Sequence, residues 1–105
     1  MPLRRDDGVA LARALKQKAQ EERLPVRAVY LFGSVARDEA HAWSDVDIAV
    51  ICDPFLPTRH EEDMVLRRLR RDIDVRISPI SLHPEDLRNK YFGLAQEVRR
   101  NGISL

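Results

Sequence analysis

Two aspartates, Asp45 and Asp47, break into an apolar run, "SDVDIAVIC" (44–52), and a glycine–serine pair, Gly33–Ser34, closes another, "VRAVYLF" (26–32). Alternate residues of a strand leave on one side with Cα atoms about 6.5 Å apart, which lets two carboxylates share one cation or a pair of ions about 3.5–4 Å apart. Magnesium suits such a site, because it takes one or two carboxylates and completes its shell with water and phosphate oxygens. A glycine followed by a serine at the start of a helical turn offers close backbone approach, N–H donors and a hydroxyl, which are phosphate-binding parts. Neither signal is specific alone: alternation puts polar residues on any solvated sheet face, and Gly-Ser is a common turn. Asp74 in "DIDVRIS" (72–78) is a further acid among apolar neighbours. Three carboxylates on one face repel one another unless cations lie between them.

The elements that must position these groups follow from periodicity. Val9, Ala12, Leu15 and Ala19 recur at helical spacing over residues 7–24, with Asp6 or Asp7 as cap and Pro25 as stop. The run 26–32 reads as a strand ending at Gly33, and residues 34–42 as a helical turn or two. In 44–52, Val46, Ile48 and Val50 face one way and the aspartates the other. "DPFLP" is a loop, and Thr58 with Glu61 forms a capping box for a helix reaching about Arg71. The alternation in 72–78 predicts a third strand with Ile73, Val75 and Ile77 on its core face and Asp72, Asp74 and Arg76 on the other. "HPEDLRNKY" and "LAQEVRR" read as helices, the second closed by Asn101–Gly102. The first two strands are joined too briefly for a crossover, so they pair antiparallel; the helix between 52 and 72 can serve a parallel crossover. The expected fold class is α/β (or α+β), a small mixed sheet packed by helices.

A length of 105 residues suits a single domain over 1–105, and a net charge of +1 does not indicate nucleic-acid binding driven by bulk charge. No apolar stretch approaches the roughly 20 residues of a membrane span, the start has no leader-like apolar core, and the lone Cys52 has no internal disulfide partner. These features point to a cytoplasmic protein.

The middle of the chain, "GSVARDEAHAWSDVDIAV", resembles the signature of the minimal nucleotidyltransferases in the DNA polymerase β-like superfamily. Gly33, Ser34, Ala36, Arg37, Ser44, Asp45 and Asp47 match that pattern position by position, "IDVRI" is similar to the strand bearing the family's third carboxylate, and "EVRRNGISL" to the common ending. Asp38 stands where the family usually has glycine. A glycine that relieves a positive φ is tolerably replaced by Asp; one that makes room for phosphate is not.

The resemblance implies a metal-dependent enzyme moving AMP from ATP to a hydroxyl. Gly33, Ser34, Arg37 and Ser44 would bind the nucleotide. Asp45, Asp47 and Asp74 would be the catalytic acids and the ligands of two Mg²⁺ ions, with Mn²⁺ as a substitute. It also implies a helical HEPN-type toxin as partner and acceptor, with this chain as antitoxin. A non-catalytic module that neutralises a partner by contact is the alternative, and the oligomeric state is left open. Outside the signature, Trp43 reads first as a packing anchor, the arginines of "RRLRR" (67–71) as a solvated face, and His41, His60 and His83 as exposed or capping groups. Arg76 is read either as neutralising Asp74 or Asp72 or as assisting phosphate.

Overall fold

A computed structural model describes residues 2–105. The elements run α1 (Arg5–Glu21), β1 (Val26–Phe32), α2 (Gly33–Ala36), β2 (Val46–Cys52), α3 (Arg59–Leu69), β3 (Ile77–Leu82), α4 (Gly93–Asn101) and β4 (Ile103–Ser104). Short 3₁₀ turns at Arg70–Asp72 and Pro84–Arg88 complete the order. The sheet is four-stranded in the order β3-β2-β1-β4. β1 pairs antiparallel with β2 and β4, and β2 pairs parallel with β3 through α3. This is the mixed α/β sheet that the connection lengths require.

Side-chain alternation divides the core. Val29 and Leu31 of β1, Val46, Ile48 and Val50 of β2, and Ile77 of β3 pack with Ala12, Leu15 and Ala19 of α1 and Leu66 and Leu69 of α3. Phe32, Ala49, Ile51 and Leu82 meet Ala95 and Val98 of α4 on the opposite face. β2 is covered on both faces, which explains the unbroken apolar stretch after Asp47. Asp47 belongs to the α4 side, where helix cover runs out at the start of the strand.

Two helices begin where their caps place them. The Asp7 carboxylate accepts from the Arg4 backbone N–H at 2.9 Å, so α1 starts two residues before the predicted 7. Thr58 and Glu61 form the capping box as expected. The residue 84–88 segment is 3₁₀ and shorter than the predicted helix. Gly102 ends α4 without a left-handed turn; glycine is needed there for space, since a Cβ would collide with the Val98 carbonyl and press on Tyr30.

The third strand is a correction. Residues 70–76 form a 3₁₀ turn and a loop, and pairing begins at Ile77. Val75, expected in the core, is 73% exposed, while Ile73 is half-buried and only Ile77 is fully inside. The strand instead runs through Pro79, which looked like its end. Proline is tolerated there because β3 is an edge strand whose outward N–H needs no partner. β4 was not foreseen; its two residues gain order only by pairing with Tyr30 and Leu31.

One buried acid secures the far end of the sheet. Glu62, with no exposure, accepts from the backbone N–H groups of Phe55 and Leu56 at 2.8 and 3.3 Å and from the Ser81 hydroxyl at 2.8 Å. Its Oε1, the oxygen that takes the Ser81 hydroxyl, also lies 2.7 Å from His83 Nε2. Glu62→Ala should lower the unfolding free energy by about 3 kcal/mol, because several buried polar groups lose their partner together. Urea denaturation checks this; a loss below about 1 kcal/mol would mean that water replaces the carboxylate freely.

Candidate nucleotide and metal site

The site is built where β1 hands over to α2 beside the start of β2. Gly33 has φ +76, and a Cβ on it would collide with the Asp47 carboxylate. Asp47 faces Phe32 across the antiparallel ladder, so its side chain lies directly on the turn that follows. Glycine is needed at this corner for both conformation and space. Ser34 is half-buried in the four-residue α2, and Arg37 follows at its end.

The two acids differ in setting. Asp45 precedes the strand and is exposed; Asp47 is half-buried. Burial pushes the Asp47 carboxyl above the ordinary carboxylate range, and the negative charges of Asp45 and Glu97 push it further. Arg37 pulls the other way with less effect. That guanidinium is already engaged: Nε lies 3.0 Å from Glu39 and Nη1 3.5 Å from Glu97. Glu97 is therefore a site residue that the sequence reading missed. Its approach to Arg37 and Asp47 comes from the docking of α4 on β1, which no local pattern reveals.

The other predicted residues fall into place unevenly. The Ser44 hydroxyl accepts from the His41 backbone N–H at 2.9 Å and so shapes the loop into Asp45. Asp38 takes φ +55, so the glycine it replaces would be relieving a positive φ. Its carboxylate accepts from the Arg5 N–H at 2.7 Å and lies 3.8 Å from that guanidinium. Trp43, expected as a packing anchor, is 89% exposed. Asp74 lies in the loop before β3, where the Arg76 guanidinium grips both its oxygens at 3.0 and 2.6 Å. That hydrogen bonding holds its carboxyl below the ordinary range. Among the described residues no three His, Cys, Asp or Glu side chains come together as a metal-binding group, so the structure does not unite Asp74 with Asp45 and Asp47. The strand alternation that suggested a shared face fails because residue 74 is not in a strand.

The donor set can still be tested against a cation. Asp47 is an acid held half-buried against a backbone corner, beside a second acid, with its nearest guanidinium shared elsewhere. Two carboxylates are the protein complement that magnesium takes when phosphates and water supply the rest. The pair fits a divalent ion delivered with a polyphosphate.

A family model described as "Nucleotidyltransferase domain" matches residues 11–101, and the chain belongs to that family. No curated protein matches it significantly. Among solved structures it is similar to a chain of a toxin–antitoxin crystallised with AMP-PNP, at 23% identity and TM-score 0.58, covering 89% of this chain and 70% of that one. It is similar as well to a Sulfolobus solfataricus protein assigned as a nucleotidyltransferase, at 19% identity and TM-score 0.58, covering 92% and 80%. At these identities the likeness is one of fold, and it agrees with the mixed sheet. No helix among the described residues is long and apolar enough to cross a membrane.

Two outcomes follow from this geometry. Asp47 is raised in the folded state, so the unfolded chain loses its proton first as pH rises, and folding is penalised fully above the raised value. Asp47→Asn should therefore increase the melting temperature by a few degrees at neutral pH without metal. The gain should shrink as pH falls through the carboxylate range; a gain independent of pH would point to packing instead of charge. At the left-handed position, Asp38→Val should destabilise the fold while Asp38→Gly should not, as read by urea midpoints. Equal midpoints for the two would show that φ is not the constraint there.

Proposed function

We propose that the chain is a minimal nucleotidyltransferase domain that carries AMP from ATP to a hydroxyl of a partner protein, a HEPN-type toxin that it thereby silences. The observation that supports this best is the half-buried Asp47 carboxylate packed on the Gly33 corner with Asp45 beside it. That arrangement costs folding energy and is useful once a cation and a phosphate arrive together. The family membership supplies the reaction class. The likeness in fold to a toxin–antitoxin chain supports a toxin as the partner.

Asp45 and Asp47 would hold Mg²⁺, or Mn²⁺ in its place. When bound, the ion would offset charge on the triphosphate and make the α-phosphate easier to attack. The backbone at Gly33 and the Ser34 hydroxyl bind phosphate oxygens. Arg37 gives up Glu39 for phosphate and keeps Glu97. Ser44 holds the loop that presents Asp45 beside the nucleotide. The acceptor oxygen bonds to the α-phosphorus, the bond to the bridging oxygen breaks, and pyrophosphate leaves. The hydroxyl proton passes to water or to a carboxylate of the pair. Asp74, the third acid of the sequence reading, can take part only by giving up Arg76.

That pairing favours a second reading, in which the domain binds nucleotide and neutralises its partner by contact. Co-expression with a HEPN-type toxin and intact-mass measurement separates the two. Transfer predicts that the toxin gains the mass of AMP, and that Asp45→Asn with Asp47→Asn removes both the mass gain and the protection. Protection by the double variant with an unmodified toxin would leave only contact. Ser34→Ala should weaken Mg²⁺-dependent ATP binding several-fold in calorimetry and leave the melting temperature unchanged; an unchanged affinity would remove Ser34 from the phosphate site.

A further inference from the structure

The β2–β3 ladder places one residue beside the acid pair that the reading above does not use. Asp47 is paired with Ser78, between the pairs Val46–Ile77 and Ile48–Pro79. Paired residues of a parallel ladder leave the sheet on the same side. Burial bears this out: Asp47 and Ser78 are both half-buried, and the residues flanking each of them are buried. The residues two and four beyond Asp47 pack in the α4-side layer, and so do Ile80 and Leu82, two and four beyond Ser78. Ser78 is thus the position on β3 from which a side chain meets Asp47, and it carries a neutral hydroxyl.

Among the described residues no other acid fills that gap. Asp74 stands before the strand with both oxygens on Arg76. Glu97 approaches from α4, but its carboxylate faces Arg37. Two cations about 3.5–4 Å apart repel strongly, and a paired-ion centre depends on carboxylates that bridge or flank both ions. Asp45 and Asp47 suffice for one ion whose shell phosphate and water complete, and β3 offers no carboxylate at the Asp47 partner position to flank a second.

We infer that this site takes one divalent cation per nucleotide, and that the serine at position 78 is what withholds a second. The inference rests on the metal–nucleotide reading of the Asp45–Asp47 pair. It has a consequence for chemistry. In a paired centre one ion clamps the attacking oxygen and the other the leaving oxygen. A one-ion site keeps the triphosphate in place and leaves the acceptor oxygen to find its own activation. The chain is therefore better built to hold ATP than to turn it over quickly.

Manganese titration of the full chain with AMP-PNP, followed by electron paramagnetic resonance, reads the number of ions without reference to activity. Two manganese ions in one centre couple their spins; a single ion gives an uncoupled signal. The wild-type chain should saturate at one ion with no coupling. Ser78→Asp should take two with a coupled signal, and Ser78→Asn, equal in size to the aspartate but uncharged, should stay at one. Should the three clustered carboxylates prevent Ser78→Asp from folding, the wild-type count still decides. A coupled pair in the wild type would overturn the inference while leaving the nucleotide site intact. A folded Ser78→Asp that still held a single ion would overturn the role of Ser78. Absence of manganese-dependent AMP-PNP binding by the wild type would overturn the nucleotide reading and this inference with it.

Discussion

The arrangement of this protein turns on the contact between the Asp47 carboxylate and the backbone of Gly33. Any side chain at residue 33 would occupy the space that the carboxylate fills, and φ +76 is a conformation that β-carbons resist. The contact requires that β1 and β2 be antiparallel neighbours in a register that sets Asp47 across from Phe32. It also leaves the acid half out of water beside Asp45, so its ionised form is disfavoured. A fold selected for stability alone would place a neutral residue there. The charge is retained at a cost, at a corner where the Gly33 backbone and the two carboxylates lie together.

The sheet keeps that corner accessible. α1 and α3 bury one face and α4 most of the other, so the long apolar body of β2 is closed on both sides. Cover ends at the beginning of the strand, where Asp45 is exposed and Asp47 only partly enclosed. At the opposite end, Glu62 ties the loop after β2 to Ser81 and His83. One end of the molecule is thus made rigid by satisfied polar groups, and the other carries carboxylates without a full set of partners.

Much of this was legible in the sequence where local rules act alone. The alternation around Val46 and Ile48, the capping box at Thr58 and the short link between β1 and β2 each follow from neighbours in the chain, and all three hold. Long-range geometry was hidden. Residues 72–78 carry a period-two pattern as regular as that of β2, yet the preceding helix runs into a 3₁₀ turn. There Ile73 and Asp74 both donate to the Arg70 carbonyl, at 2.9 Å each, and pairing cannot start. Pro79 argued against the true strand because nothing local told an edge from a centre. Glu97 reaches the site only through α4 packing, and β4 exists only through β1.

The displaced strand changes the meaning of the acids. Had residues 72–78 paired with β2, Asp74 would have stood on the sheet near Asp47, and three carboxylates would have crowded one face. With pairing begun at Ile77, the neighbour of Asp47 is a hydroxyl, and Asp74 is neutralised by Arg76 before any ligand arrives. The loop is braced as well: Arg70 donates to the Ile77 carbonyl at 2.8 Å and Val46 N–H to the Arg76 carbonyl at 2.9 Å. Bringing Asp74 to the pair would mean breaking the Arg76 bridge. On the proposed reading, affinity for a metal–nucleotide and speed of transfer are separable in this fold: the first would depend on the Gly33–Asp47 corner, and the second on what stands beside it on β3.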